Sequence, residues 1–124
     1  HVNQAYPIIG RGRVLMDTGR LAEAEKYIRR ALELRVTGYP EGHTYTAETE
    51  MFLGSCLLAQ GRFTEAEPLL ADSFKTLRNG SGRTAIVSTH GGKKLAELYR
   101  RTDRPADADS ILAIVDQLEA TLSD

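Results

Sequence analysis

The hydrophobic and polar positions of this chain repeat every 42 residues. Three segments carry the pattern: GRLAEAEKYI starts at Gly19, GRFTEAEPLL at Gly61 and DRPADADSIL at Asp103. Small residues recur three or four positions from large apolar ones, a spacing that places both on one face of a helix. The aligned sets are Gly12, Gly54 and Ala96; Leu15, Leu57 and Tyr99; Ala24, Ala66 and Ala108; and Ile28, Leu70 and Leu112. Each copy is therefore predicted to be two helices packed through a contact between small residues.

Turn signals predict where these helices begin and end. Each pair contains a short turn, Thr18-Gly19-Arg20 in the first copy, of the kind that ends a helix before the chain reverses. Thr64 followed by Glu67 matches a capping box at the start of the fourth helix. Two adjacent glycines inside the fifth helix, Gly91 and Gly92, indicate either a later helix start or a close backbone contact. The predicted helices span about 6–18, 21–36, 44–60, 63–78, 85–101 and 105–121.

A repeat of this length built from helix pairs is typical of a solenoid. We therefore expect an all-α fold, a right-handed solenoid of three antiparallel helix pairs. It forms one domain over residues 1–124, with repeats at about 1–37, 38–79 and 80–124. The chain begins at His1 without a methionine, so we expect a fragment of a longer protein. The first helix has more apolar residues than one neighbour covers, which predicts self-association through exposed end helices. They are Val2, Ile8, Ile9, Val14 and Met16.

Composition narrows the function. The 124 residues carry a formal net charge of -1, which does not suit a protein that coats nucleic acid, and no apolar run is long enough for a bilayer. One cysteine, Cys56, excludes an internal disulfide, and a cytoplasmic location is expected. The three histidines, His1, His43 and His90, lack the spacing of metal ligands. We predict no catalytic, cofactor-binding or metal-binding residues, and hence no enzyme.

The same residues resemble a known family. The positions of the middle copy resemble the small and large residues of the tetratricopeptide repeat; they are Gly54, Leu57, Ala66, Leu70 and Ser73. The flanking copies place Gly12, Leu15, Ala24, Ile28 and Ala31, and Ala96, Tyr99, Ala108, Leu112 and Val115, at those positions. The longer spacing, with LLAQGRFTEAEPLL and an upstream PEGH, resembles kinesin-light-chain repeats and similar repeats in bacterial signalling proteins. The third copy departs from the pattern, since Gly92 replaces a large apolar residue and Ala96 a glycine.

The resemblance implies a module that binds a protein or peptide partner in a concave groove lined by the first helix of each pair. Carried over position by position, the groove residues are Tyr6, Ile9, Arg13, Glu48, Met51, Phe52, Ser55, His90, Lys93, Lys94 and Glu97. Relatives that clamp a terminal carboxylate use asparagines where Phe52 and Ser55 stand, so no such clamp is expected. Lys94 and Arg13 suit acidic side chains. Phe52 either contacts the partner or packs against the neighbouring repeat.

Two other functions stay open at this point. One is a regulatory or substrate-docking domain of a larger signalling enzyme, such as a bacterial serine/threonine kinase. The other is anion or nucleic-acid binding through residues 75–104, where eight basic residues face two acidic ones. The following residues 105–124 hold five acidic residues and no basic one, so the two segments are also expected to form complementary solvated faces.

Overall fold

The computed structural model describes residues 4–123 and contains six helices in that range. They are α1 (Ala5–Asp17), α2 (Leu21–Gly38), α3 (Thr44–Ala59), α4 (Phe63–Leu77), α5 (Arg83–Arg101) and α6 (Pro105–Ser123). The described residues contain no strand. The all-α prediction is confirmed, and the predicted boundaries lie within two residues of the observed ones.

The same turn closes each helix pair. Gly19, Gly61 and Asp103 all have positive φ, at 81°, 76° and 61°. The next backbone amide in each copy then bonds to a carbonyl five residues back. These bonds are Arg20 N to Leu15 O at 2.8 Å, Arg62 N to Leu57 O at 2.9 Å and Arg104 N to Tyr99 O at 2.7 Å. The third copy thus forms the same turn without a glycine.

Small residues bring the two helices of a pair together, as the pattern predicts. Ala24, Ala66 and Ala108 are fully buried. A Cβ added to Gly12 would lie 2.8 Å from Ile28 Cγ1, and one added to Gly54 would lie 2.8 Å from Leu70 Cγ. Both positions therefore need glycine because the partner helix occupies the space of a methyl group.

The paired glycines of α5 mark a close contact. The helix runs without interruption from Arg83 through Gly91 and Gly92, so it does not start later. A Cβ at Gly92 would lie 2.5 Å from Val115 Cγ2 of α6 and 2.7 Å from Phe74 Cε1 of α4. Gly92 therefore lies at the point where α5 packs against both α4 and α6.

The pairs stack with their first helices next to one another. The helix α3 packs against both α1 and α5, whereas the backbones of the second helices α2, α4 and α6 do not approach one another within residues 4–123. A side-chain ion pair, Arg29 with Glu65 at 3.8 Å, still joins α2 to α4. The second helix of each pair instead packs against the first helix of the next pair. This arrangement curves the stack and places α1, α3 and α5 along its inner side.

Two predictions differ from the structure: one concerns the start of α4, and the other the exposure of the apolar side chains on α1. Thr64 lies inside the first turn of α4 and does not cap it, since the helix begins one residue earlier, with Arg62 at the N-cap and no side-chain cap bond. The first helix is also less exposed than expected: Ile9 is buried, Ile8 and Met16 are half-buried, and Val14 is 61% exposed. Val2 lies outside the described residues.

Candidate functional site

The inner side of the stack carries a cluster that we call the inner cluster: Arg13, Phe52, His90 and Lys94. Each first helix contributes to it, because Arg13 lies on α1, Phe52 on α3, and the other two residues one turn apart on α5. The Arg13 guanidinium lies over the Phe52 ring, with its carbon 5.0 Å from the ring centroid. A cation held over an aromatic face in this way is attracted by the electrons of the ring. The central aromatic residue therefore has a cation above it.

The pKa of His90 on α5 is affected by the charge of Arg13 on α1. Nearby protein atoms remove part of the hydration of His90 and so lower its pKa below the ordinary value of 6.5, and the positive charges of Lys94, Arg13 and Lys93 lower the pKa further. Like charges act on a titratable group only when they are near it. The three first helices therefore converge on one positively charged region.

No carboxylate of residues 4–123 forms an ion pair with Arg13, His90 or Lys94. Arg13 and His90 are exposed and Lys94 is half-buried. The inner cluster thus carries positive charge that the described part of the chain does not neutralise.

Four of the other predicted groove residues are buried. They are Ile9, Glu48, Met51 and Ser55, each exposed by less than a tenth. Met51 fills the space beside the glycine at position 91, and Glu48 is held by the Arg83 guanidinium at 2.5 Å. These four side chains do not face an open groove. The three on α3 are covered because neighbouring helices pack on two sides of it, and Ile9 of α1 packs with Ala5 and Ala31.

Phe52 packs against the neighbouring repeat and keeps part of its side chain exposed. The side chain is half-buried and packs against the main core and against the smaller cluster of Ala5, Ile9 and Ala31. The remaining part lies beneath Arg13. Packing against the neighbouring repeat is therefore confirmed, and the ring also contacts the Arg13 guanidinium.

The remaining predicted residues lie at the margin. Lys93 and Glu97 are exposed and engaged with other side chains, Lys93 with Glu119 of α6 at 3.2 Å and Glu97 with Arg101 at 3.6 Å. The Tyr6 side chain lies outside the described residues.

Ion pairs neutralise much of the basic segment 75–104. Arg83 pairs with Glu48, Lys93 with Glu119, and Arg101 with Glu97. Arg104 binds both Glu67 at 2.7 Å and Asp107 at 2.9 Å. Four of the eight basic residues of this segment are thus paired with carboxylates, which reduces the positive charge available to a phosphate backbone.

Other site types have little support. A shallow pocket of about 290 Å³ lies on the turn side of the stack, away from the inner cluster, and is lined by Phe63, Thr64, Glu67, Pro68, Ala71, Thr102 and Arg104. Its charged residues already bind each other. Over the described range, His, Cys, Asp and Glu side chains form no group of three that could hold a metal ion. None of the helices described here has the length and apolarity needed to cross a membrane.

Comparison with known proteins identifies the repeat. A family model described as tetratricopeptide repeat matches residues 5–79, which cover the first two helix pairs, α1 to α4. The match includes Arg13 and Phe52 of the inner cluster but not the two residues of α5. A search of curated proteins gives no match.

Proposed function

The chain belongs to the tetratricopeptide repeat family, and we propose that it is a non-catalytic module that binds a protein or peptide partner along the inner face formed by α1, α3 and α5. Repeats of this family generally mediate protein–protein interaction, and the family is typically non-catalytic. The 42-residue spacing and the resemblance to kinesin-light-chain repeats support the longer type of repeat.

The inner cluster carries this proposal. Arg13 and Lys94 are cations without a carboxylate partner in residues 4–123, and the Phe52 ring between their helices offers apolar area. Carboxylates bind such cations through charge-assisted hydrogen bonds. An extended segment with acidic side chains and at least one apolar side chain therefore fits the face best.

The charges also favour association before contact. Unpaired positive charge on a curved face attracts an acidic segment and raises its association rate, an effect that salt screens. Binding is thus expected to weaken as the salt concentration rises, and to do so for an acidic partner only.

A pair of synthetic peptides tests the proposal. One fluorescein-labelled peptide alternates glutamate with leucine, and its control replaces every glutamate by glutamine. We expect the acidic peptide to bind at least about tenfold more tightly in fluorescence anisotropy titrations at low salt. Equal affinities, or binding that a Lys94→Glu variant retains in full, contradict the assignment of this face.

A further inference from the structure

Ile86, in the first turn of α5, is an exposed apolar residue in line with the inner cluster. Its side chain is 58% exposed. His90 and Lys94 follow it at intervals of four residues on the same helix, and residues four apart are neighbours on a helix surface. The three side chains therefore form a stripe along α5 that begins with an apolar residue and ends in the inner cluster.

The packing of α5 does not account for isoleucine at this position. Ala85 is buried and Val87 packs against the main core, so the residues on both sides of Ile86 make the core contacts of the first turn. A β-branched residue also gives an exposed helix position no more stability than a polar helix former gives. Contact with an apolar side chain of a partner, in contrast, removes the exposed area of Ile86 from water.

The corresponding positions of α3 stay open within the stack. Thr44 and Phe52 stand one repeat before Ile86 and Lys94. Thr44 is exposed and Phe52 is half-buried, although α3 has both α1 and α5 as neighbours. A first helix that is packed on two sides thus keeps these two positions accessible. The accessibility of Ile86 and Lys94 therefore does not depend on what lies beside α5.

The length of the stripe matches an extended peptide. Ile86 and Lys94 are eight residues apart, which is about 12 Å along the helix axis. In an extended chain, residues four apart are separated by about 13 Å and point to the same side, because successive side chains alternate. Residues an odd number apart point to opposite sides. A segment that runs along α5 therefore reaches both ends of the stripe with side chains that are four residues apart.

The two ends of the stripe fit different side chains. Lys94 forms no ion pair with a carboxylate of residues 4–123, and it lies in the positively charged inner cluster. An acidic side chain binds such a cation through charge-assisted hydrogen bonds. An apolar side chain fits Ile86, since the contact removes apolar surface of both from water.

From these observations we propose that the segment bound by the inner face carries an apolar side chain four residues from an acidic one, with the apolar side chain against Ile86 and the acidic one on Lys94. This inference rests on the proposed function, because it specifies the segment that the same face binds. Ile86 is then a specificity-determining residue, and it sets the spacing that the face accepts.

Peptides of identical composition test the spacing. Each fluorescein-labelled peptide has one leucine and one glutamate in a chain of serine, and the leucine lies three, four or five residues from the glutamate, in either chain direction. In one of the two directions we expect the four-residue spacing to bind about fivefold more tightly than the other spacings in anisotropy titrations at low salt. The alternating glutamate–leucine peptide does not contain this spacing, since its glutamates and leucines are always an odd number of residues apart.

A matched pair of variants tests the role of Ile86. Ile86→Thr gives α5 the residue that α3 has at the same position, and it should remove the preference for the four-residue spacing. Val36→Thr is the control, because Val36 is also 58% exposed but lies on α2, and this variant should keep the full preference. A far-UV helical signal equal to that of the wild type shows that each variant is folded.

Two results overturn the inference: equal binding of the three spacings by the wild-type chain, or an Ile86→Thr variant that keeps the preference. Peptides with glutamine in place of glutamate distinguish these results from a failure of the proposed function. If the glutamine peptides bind as tightly as the glutamate peptides, the inner face does not select acidic segments, and both proposals are wrong. A preference for glutamate without a preference for spacing overturns only the role of Ile86.

Discussion

Gly92 shows how tightly one position of this stack is determined. It lies within α5, where glycine lowers helix stability, yet Val115 and Phe74 approach it from two other helices. Val115 is β-branched and Phe74 is a rigid ring, so neither side chain moves away easily. Gly91 differs, because a Cβ there would meet only the flexible Met51 side chain.

We predict that Gly92→Ala destabilises the chain by about 1–3 kcal/mol, because the added methyl group overpacks a three-helix contact. Gly10→Ala is the matched control: Gly10 is also helical, and a Cβ there would have no neighbour within 4 Å. That change should stabilise the chain by about 0.5–1 kcal/mol through the better helix propensity of alanine. Urea titrations followed by circular dichroism measure both changes. Equal effects of the two substitutions would contradict the close contact.

Cys56 gives a second test at this scale. Its thiol is fully buried and donates to the Leu21 carbonyl at 3.4 Å, and burial raises the pKa of the thiol above its ordinary value. We predict slow reaction with a thiol reagent at pH 8 in the folded chain, and fast reaction in urea, since the thiolate is the reactive form. Absorbance of the released thiol product measures both rates. Similar rates in the two conditions would show that Cys56 is accessible in the native state.

Helices of neighbouring pairs are joined through Glu25. Burial by itself raises the pKa of this carboxyl, but hydrogen bonds from Arg29 and Gln60 and the charges of Arg62 and Arg29 bring it below its ordinary value of 4.5. These groups come from α2 and from the turn before α4. The ionised carboxylate thus links two helix pairs, and its protonation loosens that link.

The lowered pKa of Glu25 predicts a loss of stability in acid. A group with a lower pKa in the folded state stabilises that state above its unfolded pKa, and this contribution disappears as the pH falls through the folded value. We expect Glu25→Gln to reduce the difference in urea midpoint between pH 7 and a pH below about 4. Glu33→Gln, an exposed change on the same helix, should leave that difference unaltered. A pH profile of Glu25→Gln identical to that of the wild type would rule out the contribution.

Sequence periodicity predicted the positions of the helices correctly, but it did not predict the side-chain contacts at the helix ends. The apolar positions three or four residues apart, repeated every 42 residues, placed the six helices and the buried alanines, because burial of one helix face requires that short spacing whatever the neighbours are. The capping box at Thr64 failed, since the helix starts at Phe63 and Arg62 binds Glu65 instead. The recurrence of arginine after each turn was visible in the sequence, but its partner in the preceding repeat depends on how the pairs stack.

At the scale of the whole molecule, the inner face is narrower than the family pattern implies. A family pattern predicts on which face of a helix a residue lies, but it does not predict how deeply the side chain is buried. Met51 and Ser55 share a helix with Phe52, yet neighbours on both sides of α3 bury them almost completely. Arg13 and Lys94 remain accessible because their long side chains extend beyond the packed backbone. Only the part of the predicted site that combines long or exposed side chains is thus available to a partner.

The inner cluster predicts which substitutions change binding. Lys94→Glu and Arg13→Glu should each weaken binding of the glutamate–leucine peptide by at least about 1 kcal/mol, or about fivefold, because each replaces an attractive charge by a repulsive one. Phe52→Leu should weaken it as well by removing the ring beneath Arg13, and it keeps more of the packing than Phe52→Ala. Lys26→Glu is the control for net charge. Anisotropy titrations at two salt concentrations separate the effects, since the loss from the charge variants should shrink at high salt while the loss from Phe52→Leu should persist. If the three variants bind like the wild type while changes within 38–44 or 79–84 abolish binding, the partner binds the connections between pairs and not the inner face.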